Sequence, residues 1–143
     1  AALRHHTILG KTMQAAAAPD DTAFARGLEV ARGSDSVLGL LSHIFSTRTL
    51  GLTGVLPASA QADYLSGLLI GHELTALAEV QRRRRDSLHL PTVVLIGNSQ
   101  LCARYQRALD ACGFARVLLA EQATERGLWQ LAVAAGLLDS TAP

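Results

Sequence analysis

The chain has 143 residues, enough for one ordinary domain with a buried core. Hydrophobic residues make up 49% and charged residues 17% of it, a balance that excludes a disordered chain. The formal net charge of +1 provides no broad electrostatic field for nucleic acid or a membrane surface, so neither is expected as a partner.

The first third of the chain predicts short helices. Residues 1–10 carry a brief apolar pattern without a helix cap, which is typical of the tail of an element that begins elsewhere. The Pro-Asp-Asp turn at residues 19–21 then predicts the start of a helix that extends to Gly33. A further helix is predicted between residue 37 and Arg48.

The longest predicted helix is capped by Ser59 and extends to about Val80. Between residues 65 and 77 it is apolar over most of its circumference, so we expect it to be buried or covered by a partner. Ser66 and Glu73 interrupt this stretch, which therefore falls short of the roughly 20 apolar residues of a membrane span.

Four residues of the long helix are candidates for ligand contact. Gly67 and Gly71 lie one turn apart, and each costs about 1 kcal/mol in a helix interior compared with alanine. Close approach of another backbone or of a ligand would explain them, and tight helix packing alone is the alternative. Ser66 and Glu73 share another strip, and a carboxylate in an apolar arc needs a partner such as a ribose hydroxyl, a backbone N–H or an arginine.

Residues 92–137 predict a β-α-β-α unit. The apolar run at 91–97 does not alternate, which indicates a strand buried on both faces, and Ser99 is predicted to cap the following helix, which ends at Gly113. A second strand is predicted at 116–120 and a final helix at 123–135.

Only two convincing strands are present, and two strands do not make a stable sheet alone. The missing strands would come from another polypeptide, from an upstream segment or from a second copy of the chain.

The turn Gly97-Asn98-Ser99 is the leading candidate for a binding site. It follows a predicted strand and opens a helix, where unpaired N–H groups and the positive end of the helix dipole favour an anion. The alternative is an ordinary capped helix start without a ligand, which has the same pattern. Arg104, one turn further on, is predicted at the surface or in reach of a phosphate.

No complete catalytic set is present in the sequence, and the five histidines show no metal-ligand spacing. Cys102 and Cys112 lack the spacing of a zinc or redox motif. Without a signal peptide pattern, reduced thiols in a cytoplasmic protein are expected.

Two segments resemble 2-dehydro-3-deoxygalactonokinases: residues 64–74 (YLSGLLIGHEL) and residues 93–105 (VVLIGNSQLCARY). The similarity extends over nearly the whole chain but corresponds to the C-terminal half of such a kinase. It implies an α/β fold: the C-terminal part of a ribonuclease H-like lobe of the actin, hexokinase and heat-shock ATPase superfamily, helix-rich with at least two parallel strands. Residues 1–143 would then form an incomplete nucleotide-side domain of a two-lobed sugar kinase.

The resemblance also implies a function and a site. Such kinases transfer the γ-phosphoryl of ATP, with magnesium, to the 6-hydroxyl of 2-dehydro-3-deoxy-D-galactonate. The catalytic aspartate and the phosphate loops, through which magnesium is expected to bind, would lie upstream, so the chain alone is expected to be inactive. By position, the nucleotide-binding residues here would be Gly97, Asn98, Ser99, Ser66, Gly67, Gly71 and Glu73, with Arg104 added as a phosphate contact. The alternative is a non-catalytic nucleotide-binding or assembly module that completes its sheet with a partner chain.

Overall fold

The computed structural model describes residues 2–33, 39–83 and 91–138. Within these ranges the chain forms helices and two short strands in the following order: α1 (Ala2–His5), a 3-10 helix (Ile8–Thr12), α2 (Asp21–Arg32), α3 (Gly39–Ile44), α4 (Ser46–Leu52), α5 (Gln61–Arg83), β1 (Val93–Leu95), α6 (Ser99–Ala111), β2 (Val117–Leu119) and α7 (Ala123–Ala134). The helix-rich α/β class and the β-α-β-α unit are confirmed.

The ends of the elements agree with the sequence in most places. Asp20 caps α2, because its side chain accepts a hydrogen bond from the Ala23 N–H at 2.9 Å. Gly113 follows α6 with a φ of 85°, a left-handed conformation that glycine adopts without strain. Two predictions differ from the structure. α5 begins at Gln61, two residues after the predicted cap at Ser59. The single helix predicted between residue 37 and Arg48 is divided into α3 and α4, and α4 ends at Leu52.

The centre of the molecule is the contact between α2 and α5, whose backbones approach each other closely. A side chain at Gly67 would overlap the carbonyl oxygen of Phe24, and one at Gly27 would overlap the carbonyl oxygen of Tyr64. Gly71 faces Ala31 in the same way, with only 2.6 Å between the Ala31 Cβ and the position a Cβ of residue 71 would take. The packing explanation of the two glycines in α5 is therefore confirmed.

Three clusters of buried side chains surround this helix pair. The largest joins α2 and α5 to α6 and to the chain that follows α6; its buried members are Phe24, Leu28, Ile70, Leu74, Ala78, Ala108, Leu109 and Phe114. A second cluster packs the start of α5 against α2 and residues 56–60. The third packs α5 against α3 and the N-terminal 3-10 helix. α5 thus contacts a different neighbour on each side, as its apolar circumference predicts.

β1 and β2 form a parallel pair in which Val93 lies beside Val117. The inner residues of the pair pack against the largest cluster. Val94, Ile96 and Leu118 on the other side are 53%, 61% and 57% exposed. The prediction that β1 is buried on both faces is therefore wrong for the described residues, because none of the described elements covers this apolar face. The sheet in the described part of the chain has two strands, as counted from the sequence.

Among the helices in these described ranges, no stretch combines the length and the apolar character needed to cross a bilayer.

We expect Gly67→Ala to destabilise the chain by about 1–3 kcal/mol, because the added methyl group meets backbone atoms of α2 that have no room to move. Gly127→Ala is the matched control, since a Cβ at this position in α7 has no neighbour within 4 Å. The control should be neutral or gain up to about 1 kcal/mol from helix propensity. Urea unfolding followed by circular dichroism measures both changes, and equal effects would contradict the packing argument.

Candidate functional site

Asn98 caps α6, and Ser99 is the first residue of that helix. The Asn98 Oδ1 accepts the Leu101 N–H at 2.8 Å, and the Asn98 carbonyl oxygen accepts the Cys102 N–H at 3.0 Å. The prediction that Ser99 is the cap is therefore wrong. Asparagine and serine are equally good caps, and the extended backbone at Asn98 brings its side chain to the first turn.

The first turn of α6 lies between two cavities. The larger, of about 630 Å³, opens between α5, the start of α6 and residues 14–19, and we call it the α5–α6 cavity. The smaller, of about 300 Å³, lies at the carboxyl ends of β1 and β2, and we call it the strand-end cavity. Both positions agree with the rule that ligands of open α/β sheets bind beyond the carboxyl ends of the strands.

The structure divides the residues that the sequence proposed for one site. Ser66, Asn98 and Arg104 line the α5–α6 cavity. Gly97 and Ser99 line the strand-end cavity instead. Three others contribute to neither of these cavities: Gly67 and Gly71, which face α2, and Glu73. The eight predicted residues therefore do not all line one of these two cavities.

Arg104 is a wall residue of the α5–α6 cavity, and the interpretation that placed it at the surface is wrong. Its side chain is 23% exposed and forms an ion pair with Asp63, whose side chain is 8% exposed. The guanidinium carbon of Arg104 also lies 5.8 Å from the centre of the Phe24 ring, within range of a cation–π contact. A buried arginine of this kind requires a compensating carboxylate.

Sequence reasoning missed Asp63, which also lines the cavity. Its position on the helix could have identified it. Asp63 lies three residues before Ser66, on the same side of a helix that is apolar over most of its circumference. The sequence pattern predicts instead that Glu73 is the carboxylate that needs a partner.

Glu73 is exposed, and its partner is Tyr105. The Tyr105 hydroxyl donates a hydrogen bond of 2.7 Å to the Glu73 Oε2. Burial, and secondly the adjacent carboxylate, raise the pKa of Tyr105 to about 12. The expectation that Glu73 lies in a buried apolar arc is therefore wrong, and its hydrogen bond connects α5 to α6.

No group of three or more histidine, cysteine or acidic side chains that could hold a metal ion occurs among residues 2–33, 39–83 and 91–138. The closest pair of imidazoles joins α3 to α5, with 3.1 Å between His43 Nδ1 and His72 Nε2. Burial, and secondly His43, lower the pKa of His72, which favours the neutral form of that ring near pH 7. Cys102 and Cys112 are free thiols.

The parallel β-α-β-α unit, with two cavities beside the first turn of its middle helix, is an α/β module. The chain belongs to the 2-keto-3-deoxy-galactonokinase family, whose model matches residues 1–131. It is 34% identical over 113 residues to the 2-dehydro-3-deoxygalactonokinase of Escherichia coli (strain K12). This match covers 76% of the chain and 36% of that kinase, so the chain spans about a third of the length of its relative. The resemblance inferred from residues 64–105 is confirmed.

Replacing the α6 cap with Asn98→Ala should lower the free energy of unfolding by about 0.5–2 kcal/mol, because the Leu101 N–H loses its acceptor. Asn98→Asp should retain most of this stability, since a carboxylate also accepts the bond and favours the helix N-terminus. Ser99→Ala should stay within about 0.5 kcal/mol of the unchanged protein. Chemical unfolding ranks the three variants, and a larger loss for Ser99→Ala would show that the cap is misassigned.

Proposed function

We propose that this chain supplies the nucleotide-binding wall of an ATP-dependent kinase that phosphorylates 2-dehydro-3-deoxy-D-galactonate at its 6-hydroxyl, in cytoplasmic galactonate catabolism. The observation that carries the proposal is the convergence of Ser66, Asn98 and Arg104, from two separate helices, on one cavity of about 630 Å³. That volume falls within the range of about 300–1,000 Å³ that is usual for small-molecule sites.

The lining of the α5–α6 cavity has the chemistry that a nucleotide requires. Two hydroxyl groups and three carboxamides can donate to and accept from ribose and base atoms; they belong to Ser59, Ser66, Gln14, Asn98 and Gln100. Arg4 and Arg104 provide positive charge for phosphate oxygens. The start of α6 adds the positive end of a 13-residue helix.

The strand-end cavity is the competing location for the nucleotide. Gly97 and Ser99 line it, but no arginine or lysine of the described part of the chain does, and its volume of about 300 Å³ lies at the lower limit for small-molecule sites. A nucleotide carries several negative charges, so the cavity with two arginines is favoured.

The contribution of this chain to phosphoryl transfer would be positioning. Such transfer depends mainly on holding the reacting groups in line and on compensating the charge of the transferred phosphoryl group. The superfamily resemblance assigns the catalytic aspartate, the phosphate loops and the magnesium contacts to a part of the kinase that this chain does not match. A ribonuclease H-like lobe, completed by that part, would also cover the exposed side of the two-stranded sheet.

The exposed sheet face supports a second candidate function. Val94, Ile96 and Leu118 form an apolar face that an assembly module could cover with a partner chain or a second copy of itself. Light scattering would show this module as a monodisperse dimer, and isothermal titration would show no binding of ATP. A monomer that binds ATP would exclude it.

Ser66→Met should weaken ATP binding by about tenfold or more, because the longer side chain enters the α5–α6 cavity. Ala103→Met is the control: Ala103 lies on α6, is exposed, and lines the strand-end cavity. Its ATP affinity should remain unchanged. Titration calorimetry measures both variants, and the reverse order of effects would place the nucleotide in the strand-end cavity.

The purified chain, supplied with ATP, magnesium and 2-dehydro-3-deoxy-D-galactonate, should form no phosphorylated sugar acid above the background without protein. The physical reason is that the chain would hold nucleotide without the groups that compensate the phosphoryl charge. The Escherichia coli relative, assayed in parallel, is the positive control. Sustained turnover by the 143-residue chain would contradict the proposed division of labour.

A further inference from the structure

Asp63 occupies a position in the cavity wall where both of its carboxylate oxygens have partners. Its Oδ1 forms the ion pair with Arg104, and its Oδ2 accepts the backbone N–H of Asp20 at 2.8 Å. The side chain is 8% exposed, although the residue lines a cavity of about 630 Å³. Asp63 therefore turns its oxygens toward protein partners, and a direct role in binding an anion is excluded by its charge.

The guanidinium of Arg104 is oriented from two sides. Asp63 holds one of its Nη atoms, and the guanidinium carbon lies over the Phe24 ring, 5.8 Å from the ring centre. A guanidinium has further N–H donors in a rigid planar fork. The Arg104 side chain is 23% exposed, and the residue lines the α5–α6 cavity.

A second arginine–aspartate pair connects α6 to α2, whereas the Arg104–Asp63 pair connects α6 to α5. Arg107, on α6, pairs with Asp21 at the start of α2, and their side chains are 55% and 64% exposed. Neither residue lines the α5–α6 cavity. Both pairs join an aspartate to an arginine of α6, but they differ in burial and in access to the cavity. The comparison therefore separates a role in the site from the general role of holding α6 against a neighbouring helix.

We propose that Asp63 is a positioning residue, which holds the Arg104 guanidinium in the wall of the α5–α6 cavity so that its remaining donors meet acceptor atoms of the bound nucleotide. Only the identity of the ligand in this inference rests on the proposed function. Asp63 contributes the compensating charge that lets Arg104 stay buried, and the Asp20 N–H fixes the direction of the carboxylate.

The test is a double-mutant cycle on ATP affinity in the 143-residue chain. Asp63→Asn should raise the Kd for ATP by about tenfold, and Arg104→Gln should raise it at least as much. In the Arg104→Gln background, Asp63→Asn should change the Kd by less than about twofold, because Asp63 acts through Arg104. Asp21→Asn, the matched control, should leave the Kd unchanged.

A second measurement follows Arg104 without any nucleotide. The Nε–Hε resonance of Arg104, assigned with the Arg104→Gln variant, should report a rigid guanidinium in the unchanged chain and in Asp21→Asn, and a mobile one in Asp63→Asn. This readout separates positioning from general stability, because the other arginine resonances serve as internal controls for folding.

The outcomes distinguish the two proposals. Full additivity in the cycle, or an equal loss of affinity in Asp21→Asn, overturns the positioning role. A guanidinium that stays rigid in Asp63→Asn overturns it as well. If the unchanged chain binds no ATP while Asp63→Asn releases the Arg104 guanidinium, the positioning role stands and the nucleotide assignment fails.

Discussion

The close contact between α2 and α5 is the constraint on which the rest of the structure depends. Gly27 and Gly67 remove the side chains that would separate the two backbones, and the hydrophobic clusters form around the helix pair that results. The same contact brings the Asp20 N–H to Asp63 and the Phe24 ring to Arg104. Through this packing, Gly27 and Gly67 help to determine where the charged wall of the cavity lies.

The charged side chains of Asp63 and Arg104 are ordered because they are largely buried. An exposed arginine would be hydrated and mobile, whereas Arg104 is enclosed by α2 and α5 and keeps a partner for its charge in Asp63. The cap at Asn98 adds a second fixed element, because it uses the Leu101 N–H and holds the first turn of α6 in place between the two cavities. The nucleotide wall that we propose would then be organised before the ligand arrives, which would reduce the entropy lost on binding.

One face of the β1–β2 pair is apolar and is not covered by any of the described elements. Parallel strands are normally covered on both faces, and here the apolar residues on one face are more than half exposed. The chain matches 36% of its Escherichia coli relative, so a larger protein has ample length to supply strands and a cover for this face. The sequence count of two strands and the exposure of Val94, Ile96 and Leu118 are independent observations that agree.

Sequence alone determined the classes of element, the β-α-β-α order and the family, because apolar periodicity, caps and the segments at 64–74 and 93–105 are local features of the chain. Tertiary structure decided which residues meet. Helical spacing shows that Gly67 and Gly71 share one strip and Ser66 another, but not that α2 covers the first and a cavity opens over the second. For the same reason Asp63, and not Glu73, proved to be the buried carboxylate: its burial depends on residues 20 and 104, which are distant in sequence and adjacent only in the fold.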